Sequence, residues 1–263
     1  MKRAVATFFL SISFPNLFAC LILLVTDGKT ILVGNHEDWY ARDAEATIVP
    51  PRDKKFGMIY FDFASEGTPQ GGMNEAGLFF DGTRTPFAPY PENDTKENCN
   101  CYIWKKILEQ CSNTEQAIAY IEKYRIPEIE DIHIFIADKN GNSAIIGVYD
   151  NKLQIHRRSG NHQLLTNFNI TNPSYGDEPP CKRFATAEAM LHIDSSATIQ
   201  NMENILSKTH QHALTIYSNI YNLTTGDIYI YSKANFSKKA KLNLRVELKK
   251  GKHRVSIAKL IGD

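Results

Sequence analysis

Apolar residues in this chain fall into runs of changing period, and each change marks an element. Residues 21–25 and 31–33 are continuously apolar and flank Thr26, Asp27, Gly28 and Lys29. An Asp-Gly pair between two strand-like runs predicts a hairpin. Residues 36–56 read as a polar loop broken by Pro50 and Pro51. Residues 57–63 and 77–81 read as strands on either side of a turn at Gly71 and Gly72. Residues 83–99 hold Pro86, Pro89 and Pro91 and read as a long surface loop. Helical spacing follows over 101–111 and 114–124, where Ala117, Ile118, Ile121 and Tyr124 share one face, and Pro127 ends it.

Strands return at 131–137, 143–149, 152–158 and 162–166, with turns at residues 138–141 and 150–151. Two more helices are expected over 182–192 and 199–209. The tail reads as strands at 216–223, 227–232, 240–248 and 253–260. Blocks of strands alternating with blocks of helices suit an α+β fold better than a parallel βαβ sheet. The expectation is a four-layer αββα sandwich, two antiparallel sheets between helical layers.

The first nineteen residues have a different pattern. Lys2 and Arg3 precede an apolar run from Ala4 to Phe14, and Phe18 and Ala19 stand directly before Cys20. This is the layout of a secretory signal peptide with a small residue at the cleavage point. The apolar run is short for a membrane span, and Pro15 and Asn16 interrupt it. Residues 1–19 are therefore expected to be removed, leaving 20–263 as a single domain that is secreted or periplasmic. The new first residue would be Cys20, with a thiol and a free α-amine together.

Composition adds little against this. The 263 residues are 43% hydrophobic and 22% charged with a net charge of +1, as in an ordinary soluble domain. Neither nucleic acid nor an anionic membrane is implied as a partner. The basic stretch 237–254 alternates with Leu and Val and reads as a strand with a solvated face. Cys99 and Cys101 lack the spacing of a zinc ribbon, and a disulfide among Cys99, Cys101 and Cys111 suits a secreted chain. His210 and His212 do not share a helix face. No metal site is expected, and no glycine-rich phosphate loop is present.

Chemistry concentrates where polar residues interrupt strand-like surroundings: Asn35, His36, Glu37, Asp38 and Trp39; Gly72, Met73, Asn74 and Glu75; Thr166 and Asn167; Lys182, Arg183 and Phe184. In this order and spacing after Cys20, they resemble the N-terminal-nucleophile hydrolases of the choloylglycine hydrolase and penicillin V acylase group. The chain looks most like their shorter relatives, linear amide C–N hydrolases related to the isopenicillin N acyltransferases.

The resemblance implies a role for each matched residue. Cys20 is the nucleophile, and Asp38 orients the N-terminal amine and thiol. Asn167 supplies an oxyanion-hole amide, and the backbone N–H at Asn74 supplies a second donor. Arg183 is a charge partner near the nucleophile. Asn35 stands where the larger bile-salt hydrolases have an arginine, and Asn35, Glu37 and Trp39 are candidates for substrate contact. The stretch from Asn167 to Arg183 lacks room for the assembly hairpin of the large members, so their tetramer is not implied. The implied substrate is a small N-acyl amide, cleaved without metal or organic cofactor.

Elementary chemistry supports the same site. A thiol titrates near ~8.5 and an α-amine near ~7.7–8.0, so a neutral amine can take the thiol proton near neutral pH. Arg183 is expected to favour the thiolate. Two alternatives come from other classes. Leu17, Phe18, Ala19 and Cys20 resemble a lipobox, which would make a lipid-anchored envelope protein. Phe18 is bulky for that motif, and a strand follows at once where a tether is usual. The other alternative is a catalytically inactive relative with a binding role.

Overall fold

The computed structural model describes residues 20–90, 96–99, 102–170, 172, 174 and 179–262. The leader expected over 1–19 and Cys101 lie outside them.

Strands β1 (Leu21–Thr26) and β2 (Ile31–Asp38) form the expected hairpin, with Leu21 opposite His36 and Thr26 opposite Ile31. Their continuous apolar character follows from having both faces covered. Leu21, Leu23 and Val25 face a helical layer of α3 (Lys182–Ile193) and α4 (Ile199–Thr209), whereas Ile22 and Leu24 face the other sheet. Each of these buried side chains stabilises the fold by about 1.5–3 kcal/mol relative to exposure.

β10 (His162–Leu165) borders β1, and β11 (Thr215–Asn222), β12 (Asp227–Ser232) and β13 (Lys239–Asn243) extend the sheet beyond β2. The second sheet has eight strands. Its centre is β3 (Ala44–Val49), β4 (Met58–Phe63), β5 (Gly71–Asn74), β6 (Leu78–Arg84) and β7 (Ile132–Asp138). β8 (Ser143–Tyr149) and β9 (Lys152–Arg157) complete one side, and β14 (His253–Ser256) pairs with β3 on the other. All pairings in both sheets are antiparallel.

Helices α1 (Ile103–Gln110) and α2 (Thr114–Lys123) cover the outer face of the eight-stranded sheet. Between the sheets, Phe61, Phe63 and Phe79 pack against Tyr217 and Tyr221. The architecture is an αββα sandwich of the N-terminal-nucleophile hydrolase type.

Three local expectations are corrected. Gly71 and Gly72 lie within a strand, not a turn. A Cβ on Gly72 would stand 2.3 Å from the Ile59 carbonyl oxygen, so glycine is there for close strand approach. Residues 36–56 are not one loop: β2 runs to Asp38, and β3 alternates from Ala44 to Val49. The tail strands end early, because Asn243 and Ser256 cap two short helices, α5 (Leu244–Leu248) and α6 (Ile257–Ile261).

Candidate active site

Period-two alternation decides which side chains meet at Cys20. Cys20 is buried at the head of β1. On β2, Ile31 and Val33 face the inter-sheet core, so Asn35 and Glu37 do as well, while His36 and Asp38 face the helical layer. On β6, Phe79 faces the same core, which places Asp81 on that side.

The Cys20 thiol donates to Glu37 Oε1 at 3.6 Å. Asp81 accepts from Asn35 Nδ2 at 2.7 Å and from the Gly82 N–H at 2.7 Å. Gly71 makes room for it, since a Cβ there would lie 2.7 Å from Asp81 Cγ. Glu37 thus touches the thiol, and Asp38 and Asp81 act on it through their charge. Burial first, and then Glu37, Asp38 and Asp81, push the Cys20 thiol well above its ordinary range. Burial and the charges of Asp81 and Asp38 raise Glu37 in the same way. Burial pushes Asp81 up to about 8.

Arg183, in the first turn of α3, ties the far side of the site together. Its Nη1 donates to Asp38 Oδ2 at 3.0 Å, and its Nη2 donates to Asn167 Oδ1 at 2.8 Å and to the Cys20 carbonyl at 3.3 Å. Asp38 also accepts from Gln211 Nε2 at 2.8 Å and from the Thr215 hydroxyl. Burial raises Asp38, against the lowering effects of Arg183, Thr215 and Gln211. The guanidinium reaches the Cys20 carbonyl rather than the sulfur, and Glu37 faces the sulfur.

Asn167 follows β10 and donates through Nδ2 to the Arg84 carbonyl at 2.8 Å. Thr85 N–H donates to the Asp131 carbonyl, so the Thr83 and Thr85 amides face β7. The Gly82 and Arg84 amides therefore face the opposite edge, beyond the end of β5. The Arg84 N–H lies along the edge that Asn167 covers.

Asn74 is not part of this group. Gly72 pairs with Phe80 and Met73 with Phe79, which sets Asn74 toward Leu78, roughly 10 Å along the strand from Gly71. Its Nδ2 donates to the Leu108 and Cys111 carbonyls at 2.8 Å, and its Oδ1 accepts from the Ala76 and Leu78 amides. The expectation of an oxyanion donor at Asn74 is corrected to a structural role.

A cavity of about 280 Å³ opens beside Cys20, with Glu37 and Asp38 of β2, Trp39 just after it, and Asp81 and Arg84 of β6 in its wall. Asn35 does not line it and touches it only through Asp81. Trp39 donates from Nε1 to Glu66 Oε1 at 2.6 Å and stacks on Tyr40. His36, expected in a loop, is buried between Ser218 and Thr209, and burial holds its pKa at about 3.

Asp81 and Arg84 were not anticipated. The signal for Asp81 was an acid on the inward face of a strand, in phase with Phe79. Among the described residues, no group of three or more His, Cys, Asp or Glu side chains is arranged to hold a metal ion. Cys99 is disulfide-bonded, whereas Cys20, Cys111 and Cys181 carry free thiols.

Two antiparallel sheets between helical layers are the architecture of the N-terminal-nucleophile hydrolase fold. Within it, the chain belongs to the acyl-coenzyme A:6-aminopenicillanic acid acyl-transferase family, whose model matches residues 26–244. That match begins after Cys20, so the case for Cys20 rests on geometry.

Among solved structures, a variant of conjugated bile acid hydrolase from Clostridium perfringens aligns with a TM-score of 0.71 at 18% identity, covering 90% of this chain and 96% of that one. Penicillin V acylase from Agrobacterium tumefaciens aligns at 0.68 and 14% identity, covering 90% of each chain. The Caenorhabditis elegans ortholog of N-acylethanolamine-hydrolyzing acid amidase aligns at 0.61 and 15%, covering 78% of this chain and 93% of that one. A search of the curated proteins returned no match.

Proposed function

We propose that this protein is a cysteine amidohydrolase that cleaves a linear, non-peptide amide of a small N-acyl substrate through an acyl-thioester on Cys20. Removal of residues 1–19 outside the cytoplasm frees the Cys20 amine, and the disulfide at Cys99 agrees with an oxidising compartment. The neutral amine takes the thiol proton, and the thiolate attacks the amide carbonyl. Asn167 has a second N–H on Nδ2 that is not given to Arg84, and with the Arg84 amide it receives the oxyanion. The resulting ammonium, held by Asp38, returns the proton to the leaving nitrogen as the C–N bond breaks. Water then releases the acid and regenerates the thiol. An acceptor amine in place of water gives acyl transfer, which the family's name favours.

The observation that carries this reading is the Arg183 network, which joins Asp38, Asn167 and the Cys20 carbonyl beside a cavity that holds the thiol. The test compares mature wild type with Cys20→Ala on a panel of N-acyl amides. Turnover by wild type alone supports the reading, and equal turnover removes it.

A further inference from the structure

The wall of the cavity is strongly acidic. The one basic residue in that wall, Arg84, is paired with Asp131 at 2.6 Å, and Arg183, outside the wall, is committed to Asp38. Glu37, Asp81, Glu66 and Glu128 also line the cavity, and none makes an ion pair among the described residues. Glu37 adds an independent observation. It is only 4% exposed, and its sole hydrogen bond is the weak one from the Cys20 thiol, which leaves one carboxylate oxygen in the cavity wall with no partner among the described residues. A buried carboxylate so placed favours a cationic donor. Both tryptophans of the chain, Trp39 and Trp104, line the same space, Trp39 stacked on Tyr40 and Trp104 on Phe80.

We propose that the substrate of this site carries a protonated amine, received by Glu37 and Asp81 deep in the cavity and by Glu66 and Glu128 nearer solvent. This rests on the amidohydrolase reading and narrows its substrate class to N-acyl compounds with a free ammonium group near the scissile amide. Burial favours the protonated form of both carboxyls, with the charges of Asp81 and Asp38 adding to it at Glu37, and a bound ammonium makes their ionisation favourable.

Binding is tested without turnover. Because both tryptophans line the cavity, their fluorescence reports its occupancy. Wild type is titrated at constant pH with hexylammonium, hexanol and hexanoate, which share one chain length. Hexylammonium is expected to bind at least about tenfold more tightly than hexanol, with hexanoate weakest. Glu37→Gln and Asp81→Asn are expected to weaken hexylammonium by about tenfold each and to leave hexanol unchanged. Glu128→Gln, at an exposed position, gives a smaller loss without risk to folding. Hexanol or hexanoate binding as tightly as hexylammonium to wild type overturns the proposal, whatever the variants do. A protein that prefers the ammonium but cleaves no amide contradicts only the amidohydrolase reading. One that cleaves amides without that preference contradicts only this inference.

Discussion

Arg183 and Asp38 form a fully desolvated contact on one side: the guanidinium meets a carboxylate whose side chain has no solvent exposure, at 3.0 Å. Removing one partner of a buried pair leaves an uncompensated charge. Arg183→Ala is expected to lower unfolding free energy by about 3 kcal/mol, the lower end for such pairs because Gln211 and Thr215 still reach Asp38. Arg183→Lys restores charge but not the fork that spans Asp38, Asn167 and the Cys20 carbonyl. It should recover part of the stability in a denaturant titration and little of kcat.

Asn167→Ala separates chemistry from folding. The side chain is half-buried and, among the described residues, bonds only to Arg84 and Arg183. A lost oxyanion donor should reduce kcat by about 10²-fold or more with little change in KM. A pure rise in KM in steady-state kinetics contradicts that role.

Asn74→Ala should do the opposite. It removes four hydrogen bonds, two to the Leu108 and Cys111 carbonyls at the end of α1 and two from the Ala76 and Leu78 amides of the β5–β6 turn. A loss of about 2–3 kcal/mol is expected in thermal or denaturant unfolding, with kcat per folded molecule unchanged. A selective fall in kcat would return Asn74 to the site.

Asp81 links stability to pH. Its folded pKa of about 8 lies above its ordinary value of 3.8, so the folded protein keeps a proton that the unfolded chain has released. The stability it contributes is complete below pH ~4 and is lost as pH rises toward 8. Asp81→Asn has no such proton, and the buried Asn35 Oδ1, which lacks a partner among the described residues, can accept from the new amide. The Tm of wild type should therefore fall relative to Asp81→Asn between pH 5 and 9. Parallel curves contradict the shift.

Much of the fold was legible because the strongest patterns had simple causes. The β1–β2 hairpin was visible from two apolar runs around Asp27 and Gly28, and α4 from its amphipathic spacing. Gly71 and Gly72 misled, because glycines chosen for strand approach look like turn residues. The tail misled because single capping residues, Asn243 and Ser256, switch strand to helix. At the site, the chain order pointed to Cys20, Asp38, Asn167 and Arg183, which the fold gathers. Asn74 sits in an equally motif-like segment, but strand direction carries it away. Asp81 needed the β6 register, which joins it to Asn35 across 46 positions of sequence.

The central claim is that Cys20 acts as a free N-terminal nucleophile. The most direct measurement is the mass of the N-terminal peptide after acid quench during turnover of an N-acyl amide. The account predicts a peptide beginning at Cys20 with no lipid, part of which carries one acyl group on Cys20. A retained leader, a diacylglyceryl mass on Cys20, or turnover with no acyl group on that peptide would contradict it.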